Sequence, residues 1–236
     1  MNSETIISIN KVTKRFPVGE GEFTALKNIN LEFRRGEFAG LVGPSGSGKT
    51  TLLNIIGSLD TPTEGEAIVL GKQISKLSHK ESAWLRNKHI GFIFQVYNLL
   101  PVYTVYENVE FALLLQNIAT DKRKKMVMDA LEWVGLSDMA NKKPDKLSGG
   151  EGQRVAIARA MVKNPEIVIA DEPSANLDAA NTHAILETMK QLNKELGTTF
   201  IFSTHDEKVM GYLDRIVHLK DGRIENDEII NAKYSQ

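Results

Sequence analysis

The sequence predicts an α/β fold: a mixed sheet, an antiparallel β subdomain and an inserted helical subdomain. Three observations carry this. Short β-rich runs alternate with helical patterns along the chain. Three of those runs, Phe38–Val42, 167–170 and 199–203, are mostly apolar on both faces, as central parallel strands covered by helices are. Between Gln95 and Pro165 the strand pattern disappears and helices dominate.

Candidate strands lie at 6–9, 29–33, Phe38–Val42, 67–70, Ile90–Phe94, 167–170, 199–203 and 216–219. The first strands and the segment 216–224 read as antiparallel additions, with Asp221-Gly222 as a hairpin turn. Thr120 is placed to cap a helix that carries Val127, Ala130, Leu131 and Val134 on one face and ends at Gly135. A second helix runs from about Asp178 to Gly197, with Ile185, Met189, Leu192 and Leu196 on one stripe. The charged run 121–125 reads as a solvated first helical turn. The expected organisation is one domain over 1–236, with 1–94 and 166–236 as the α/β core and 95–165 as the helical subdomain.

Composition removes several classes. The chain has no cysteine, which excludes disulfides and thiolate metal sites and fits a reducing compartment. A formal net charge of -1 gives no general attraction to nucleic acid, so none is expected as a partner. The N-terminal residues lack the basic-then-apolar pattern of a signal peptide. No run approaches the roughly 20 apolar residues that a membrane helix needs. Work at a membrane would require another chain to supply the span.

The strand Phe38–Val42 runs into Gly43-Pro44-Ser45-Gly46-Ser47-Gly48-Lys49-Thr50, and an apolar helix over about 49–59 follows. This is G-x-x-x-x-G-K-[ST] in the strand–loop–helix setting that the motif requires. Glycines let the backbone curl until its N–H groups face phosphate oxygens. Lys49 brings a positive charge to the β- and γ-phosphates. Thr50, followed by Thr51, offers a hydroxyl to Mg²⁺, and the helix start favours the anion. The motif gives the fold its name, a P-loop NTPase core, with ATP and Mg²⁺ as the expected ligands.

The run 167–170 ends in Asp171 and Glu172. A buried parallel strand delivers such acids to the crevice at its C-terminal edge. There Asp171 would hold Mg²⁺, directly or through water, and Glu172 would polarise an attacking water as general base. A base at this position implies hydrolysis rather than binding alone. A third element is Leu147-Ser148-Gly149-Gly150-Glu151 opening a helix over about 151–162. It is either a plain helix cap or a second anion site built from backbone N–H groups.

The order of these motifs resembles an ABC-transporter nucleotide-binding domain over essentially the whole chain: Walker A at 43–50, a glutamine at Gln95, the LSGGQ-like signature at 147–151, Walker B at 167–172, a D-loop at 174–178 and a histidine at His205. The resemblance implies a homodimer in which ATP at one copy's Walker A is covered by the other copy's signature. Ser148 and Gly150 would then contact the γ-phosphate bound by the partner. Gln95 would help hold Mg²⁺ and water and relay to an integral membrane permease subunit. His205 would contact the γ-phosphate, Asp178 would lie at the interface while also able to cap a helix, and Phe16 would stack on adenine. The expected location is the cytoplasm, peripheral on the inner face of the cell membrane.

Within the family, the segments 59–66 and 95–109 and the extension 17–29 resemble the lipoprotein-release and macrolide-export (MacB-type) branch. Four departures stand out. Glu151 replaces the usual last glutamine of the signature, Gly152 stands where a longer polar residue is typical, Ser174 replaces a common threonine, and Val96-Tyr97 is unusual after Gln95. Three functions compete: an ATPase driving a membrane partner of that branch, a non-transporting regulatory ATPase of a cell-envelope complex, and a soluble ATPase of DNA repair or translation. The last is disfavoured, because such proteins usually carry coiled coils or two cassettes and this chain has room for one.

Overall fold

The computed structural model describes residues 4–230. In chain order the strands are β1 (Thr5–Val18), β2 (Gly21–Arg34), β3 (Phe38–Val42), β4 (Glu64–Val69), β5 (Lys72–Gln73), β6 (Ile90–Phe94), β7 (Ile167–Asp171), β8 (Thr199–Thr204), β9 (Arg215–Lys220) and β10 (Arg223–Ile229). The α-helices are α1 (Lys49–Ile56), α2 (His79–His89), α3 (Val105–Glu110), α4 (Thr120–Trp133), α5 (Gly149–Met161), α6 (Ala179–Leu196) and α7 (Glu207–Met210). This is the mixed α/β fold that the pattern predicts. The described chain falls into two compact units, one running to Arg86 and resuming at Thr199, the other spanning Asn87–Thr198.

The first unit holds two sheets. One is antiparallel, in the order β2-β1-β4-β5. Both β1 and β2 are far longer than the apolar runs that announce them. Their extra length mixes charged and polar residues with scattered apolar ones, among them the buried Val12 and Leu26, so no continuous apolar run marks it. In the other, β3 pairs parallel with β8 on one side and β9 on the other, and β9 pairs antiparallel with β10 across the Asp221-Gly222 turn. All residues of β3 and β8 are buried, which explains their continuous apolar reading. Phe38 sits among Phe200 and Phe202 with ring centroids 5.5 and 4.7 Å apart, so aromatic packing as well as the ladder holds this pair.

The second unit is built on the parallel pair β6–β7, and no strand occurs among the described residues between them. Helix α6 is capped by Asp178, whose carboxylate accepts from the Asn181 N–H at 2.8 Å, and is closed by Gly197 in the left-handed region. Ile185, Leu186, Met189 and Leu192 are buried; Leu196, expected on that stripe, lies 40% exposed in the last turn. In α4, Val127, Ala130 and Leu131 are buried as expected, and Gly135 closes the helix in a Schellman arrangement. Thr120 is not its cap. It is already the first helical residue, and Ala119 precedes it with no side-chain hydrogen bond. Asn108, fully buried, latches the chain before α3: its amide donates to the carbonyls of Leu100, Tyr103 and Thr104 and accepts from the Leu100 N–H.

Candidate functional site

In the first unit, β3 ends where the glycine loop begins. A Cβ at Gly43 would run into the Leu219 carbonyl of β9, and one at Gly48 would lie 2.8 Å from the Ala25 carbonyl oxygen. Gly46 and Gly48 also take left-handed φ values of 78° and 106°. Sterics and dihedrals therefore demand glycine here independently of any ligand. Helix α1 begins at Lys49 behind Gly48, with no side-chain cap and no acidic residue in its first turn. It ends at Ile56, earlier than the expected 59, because Gly57 turns and Ser58 is left-handed.

Lys49 is 7% exposed, and its ammonium donates to the Gly43 and Pro44 carbonyls at 2.7 and 3.0 Å. The Ser47 hydroxyl is buried with no hydrogen-bond partner. A curled loop, an inward cation, an orphaned hydroxyl and an uncapped helix start fit a bound phosphate chain. Pro44, Ser45, Thr50 and Thr51 belong to the same turn and first helical turn. Phe16 lies on β1, half-buried, with the Lys14 ammonium 5.0 Å from its ring centroid. His205 follows β8 on an exposed loop just before α7.

The second unit gathers the remaining candidates. Parallel register pairs Phe94 with Asp171, so Gln95 and Glu172 leave neighbouring strand ends. Asp171 is half-buried, and Glu172 has φ 48°, a left-handed conformation that costs a non-glycine residue of the order of 1 kcal/mol. The Gln95 carbonyl accepts from the Asn176 amide at 3.2 Å, tying the loop after β6 to the 174–178 turn.

Helix α5 begins at Gly149, two residues before the expected start. Ser148 is its N-cap, and Glu151 completes a capping box: the Ser148 N–H donates to the Glu151 carboxylate at 2.6 Å, and the Glu151 N–H donates to the Ser148 hydroxyl at 3.3 Å. The Ser148 backbone N–H, and after it the Ser148 hydroxyl donating to the same carboxylate, hold the Glu151 carboxyl below its ordinary pKa. Ser148 and Gly149 are exposed, Leu147 is half-buried, and Gly150 is buried against the Asn181 side chain, which a Cβ there would strike.

Three partners of these residues escape sequence reasoning. Gln153 is buried and donates 2.6 Å to the Pro173 carbonyl just past the acids. Arg159 donates to the carbonyls of Tyr97 and Asn98. The Tyr97 ring covers Gly152. Tyr97 and Gly152 stand out in the sequence only as separate departures, and no spacing rule pairs them.

Among the described residues no cluster of three or more His, Cys, Asp or Glu could hold a metal. The Thr50 hydroxyl and the Asp171 carboxylate are hard oxygen donors, the kind of which Mg²⁺ takes one or two before completing its shell with phosphates and water. No helix of the described chain is long and apolar enough to cross a membrane.

A glycine loop folded around a buried lysine and a parallel strand ending in two acids are each features of one class, the nucleoside triphosphatases. The family model for ABC transporters matches residues 26–175. An ABC transporter ATP-binding protein of Methanocaldococcus jannaschii, MJ0796, is 44% identical over 94% of this chain and 97% of its own. The lipoprotein-releasing system ATP-binding protein LolD of Bacteroides thetaiotaomicron is 42% identical over 94% of this chain and 100% of its own. A dimeric structure of MJ0796 in a post-hydrolysis state, bound to ADP and Pi, matches with a TM-score of 0.88 at 43% identity, covering 95% and 98% of the two chains. The chain belongs to the ABC transporter family, as one of its ATP-binding, ATP-hydrolysing cassettes.

Proposed function

We propose that this chain is the ATPase subunit of a transporter of the lipoprotein-release or macrolide-export type. It lies on the cytoplasmic face of the membrane, against an integral permease subunit. Two copies dimerise around two ATP. The observation that carries this reading is the start of α1, where a buried lysine is folded into a glycine loop at a helix end with no side-chain cap. The likeness to LolD and to dimeric MJ0796 supports the branch and the dimer.

Each residue has a role. Residues 1–94 and 166–236 serve ATP binding, and 95–165 carries the signature. Gly43 to Thr51 bind the triphosphate through backbone N–H groups, Lys49 and the helix start. Phe16 supplies a ring face for adenine. Thr50, Gln95 and Asp171 hold Mg²⁺, which when bound neutralises charge developing on the β- and γ-phosphates. Glu172 takes the proton of the attacking water, and His205 donates to the γ-phosphate. Ser148, Gly149 and Gly150 reach the nucleotide held by the other copy, with Leu147 and Glu151 shaping that helix start and Asp178 at the interface. These contacts form only when the copies close on ATP, and that differential binding drives the cycle.

The test is Glu172→Gln, which keeps the side-chain shape and removes the base. With ATP it should accumulate as a dimer by light scattering, and a monomer at saturating ATP would count against the reading. Co-purification of the wild-type chain with an integral membrane protein checks the partner.

A further inference from the structure

We propose that Tyr97 is a positioning residue: its ring, seated on the glycine face at the start of α5, makes the loop after Gln95 and the signature helix move as one body. A Cβ at Gly152 would lie 2.8 Å from the Tyr97 Cδ2 and 3.0 Å from its Cε2, and one at Gly149 would lie 3.1 Å from the Tyr97 hydroxyl. Gly149 and Gly152 are one turn apart and share a face of the helix. With no side chain at either place, the ring packs directly on the helix backbone. The two departures at Tyr97 and Gly152 are therefore one feature, an aromatic occupying the space that a longer residue would fill.

Further along the same face, Arg159 closes the other end of the contact. Its guanidinium donates to the Tyr97 carbonyl at 2.6 Å and to the Asn98 carbonyl at 2.7 Å. Asn98, where Arg159 grips the chain, has a left-handed φ of 49°. On its other side, the Gln95 carbonyl is tied to Asn176. The short segment 95–98 is thus fixed to α5 by a ring and a guanidinium and to the 174–178 turn by an amide. A displacement of the loop must shift Ser148 and Gly149, because the ring and the helix backbone are already in van der Waals contact and a packed contact of this kind transmits displacement rather than absorbing it.

The proposal rests on the reading that Ser148 and Gly149 reach the other copy's nucleotide. Its consequence is kinetic. Loosening the contact misplaces the signature at the moment of hydrolysis and leaves the Lys49 loop untouched, so kcat falls while nucleotide affinity holds.

ATPase kinetics, ATP affinity and thermal midpoint are measured on the full chain for Tyr97→Ala, Tyr97→Phe, Gly152→Gln and the double variant Tyr97→Ala/Gly152→Gln. Each of Tyr97→Ala and Gly152→Gln should lower kcat roughly tenfold with ATP affinity within about twofold. Tyr97→Phe should rescue turnover, since the ring makes the contact. The double variant should be no worse than the poorer single, because both break one contact. Fold losses that multiply in the double variant, unchanged kcat in the singles, or losses that track the thermal midpoint would each overturn the proposal. Ser148→Arg, run alongside, separates the two failures: full turnover there sinks the trans-acting reading, whereas lost turnover there with multiplicative Tyr97 and Gly152 effects sinks only the positioning role.

Discussion

The buried amide of Gln153 donates a 2.6 Å hydrogen bond to the carbonyl of Pro173, so the helix that Ser148 opens is anchored to the loop directly after Asp171 and Glu172. That bond links the segment carrying the acids directly to the helix within the second unit. Gln153→Leu keeps the volume and leaves that carbonyl without its donor. A cost of about 1–3 kcal/mol is expected in denaturant unfolding. An unchanged midpoint would show that Pro173 finds another donor.

Lys49→Ala removes the cation that the glycine loop folds around. ATP affinity should fall by at least about a hundredfold, since a charge-assisted contact to phosphate is lost from a buried position. Titration with a fluorescent ATP analogue reads this directly, and an affinity within a few-fold of wild type would remove the loop from the nucleotide site.

Glu172 holds a left-handed backbone conformation that glycine adopts freely. Glu172→Gly should release up to about 1 kcal/mol of backbone strain against the greater unfolded-state freedom of glycine, and should abolish turnover by removing the proposed base. A clear loss of stability would mean that the side chain, rather than chemistry alone, keeps glutamate at this position.

The Glu151 carboxyl is held below its ordinary pKa by hydrogen bonds from the Ser148 backbone and hydroxyl. A depressed folded-state pKa stabilises the protein fully above the unfolded value. That contribution disappears as pH falls through the folded one. Glu151→Gln should accordingly narrow its stability gap to wild type as acid is added, with the change falling below about pH 4.3. Thermal midpoints across that range decide it: a gap independent of pH would place the stabilisation in shape rather than charge.

Asn108 makes four hydrogen bonds to backbone groups of the preceding loop from a fully buried position. Asn108→Ala should cost about 2–4 kcal/mol, because it orphans several buried polar groups at once. Hydrogen exchange at residues 100–104 should speed up in the same variant. Protection equal to wild type would show that α3 alone orders the loop.

The glycine loop, the two acids and the Ser148 helix start are legible in the sequence because each is a local device. The spacing of glycine, lysine and threonine follows from one turn of backbone around a phosphate, and a strand with four or five consecutive buried residues announces itself through composition. The same locality explains the misses. Thr120 looks like a cap, but whether a hydroxyl caps depends on which residue first turns helical. The extensions of β1 and β2 carry only scattered apolar residues, such as Val12 and Leu26, and their strand state comes from pairing with each other.

By itself the sequence determined the order of chemical motifs, the α/β class and the absence of any thiol chemistry, since these depend on residue type and short-range spacing. Only the tertiary structure decided that Phe94 pairs with Asp171, that Gln153 reaches Pro173 and that Tyr97 fills the place beside Gly152. Those contacts join residues far apart along the chain. Strand register and helix rotation set them, and both are fixed by the packing of the whole core rather than by any local pattern.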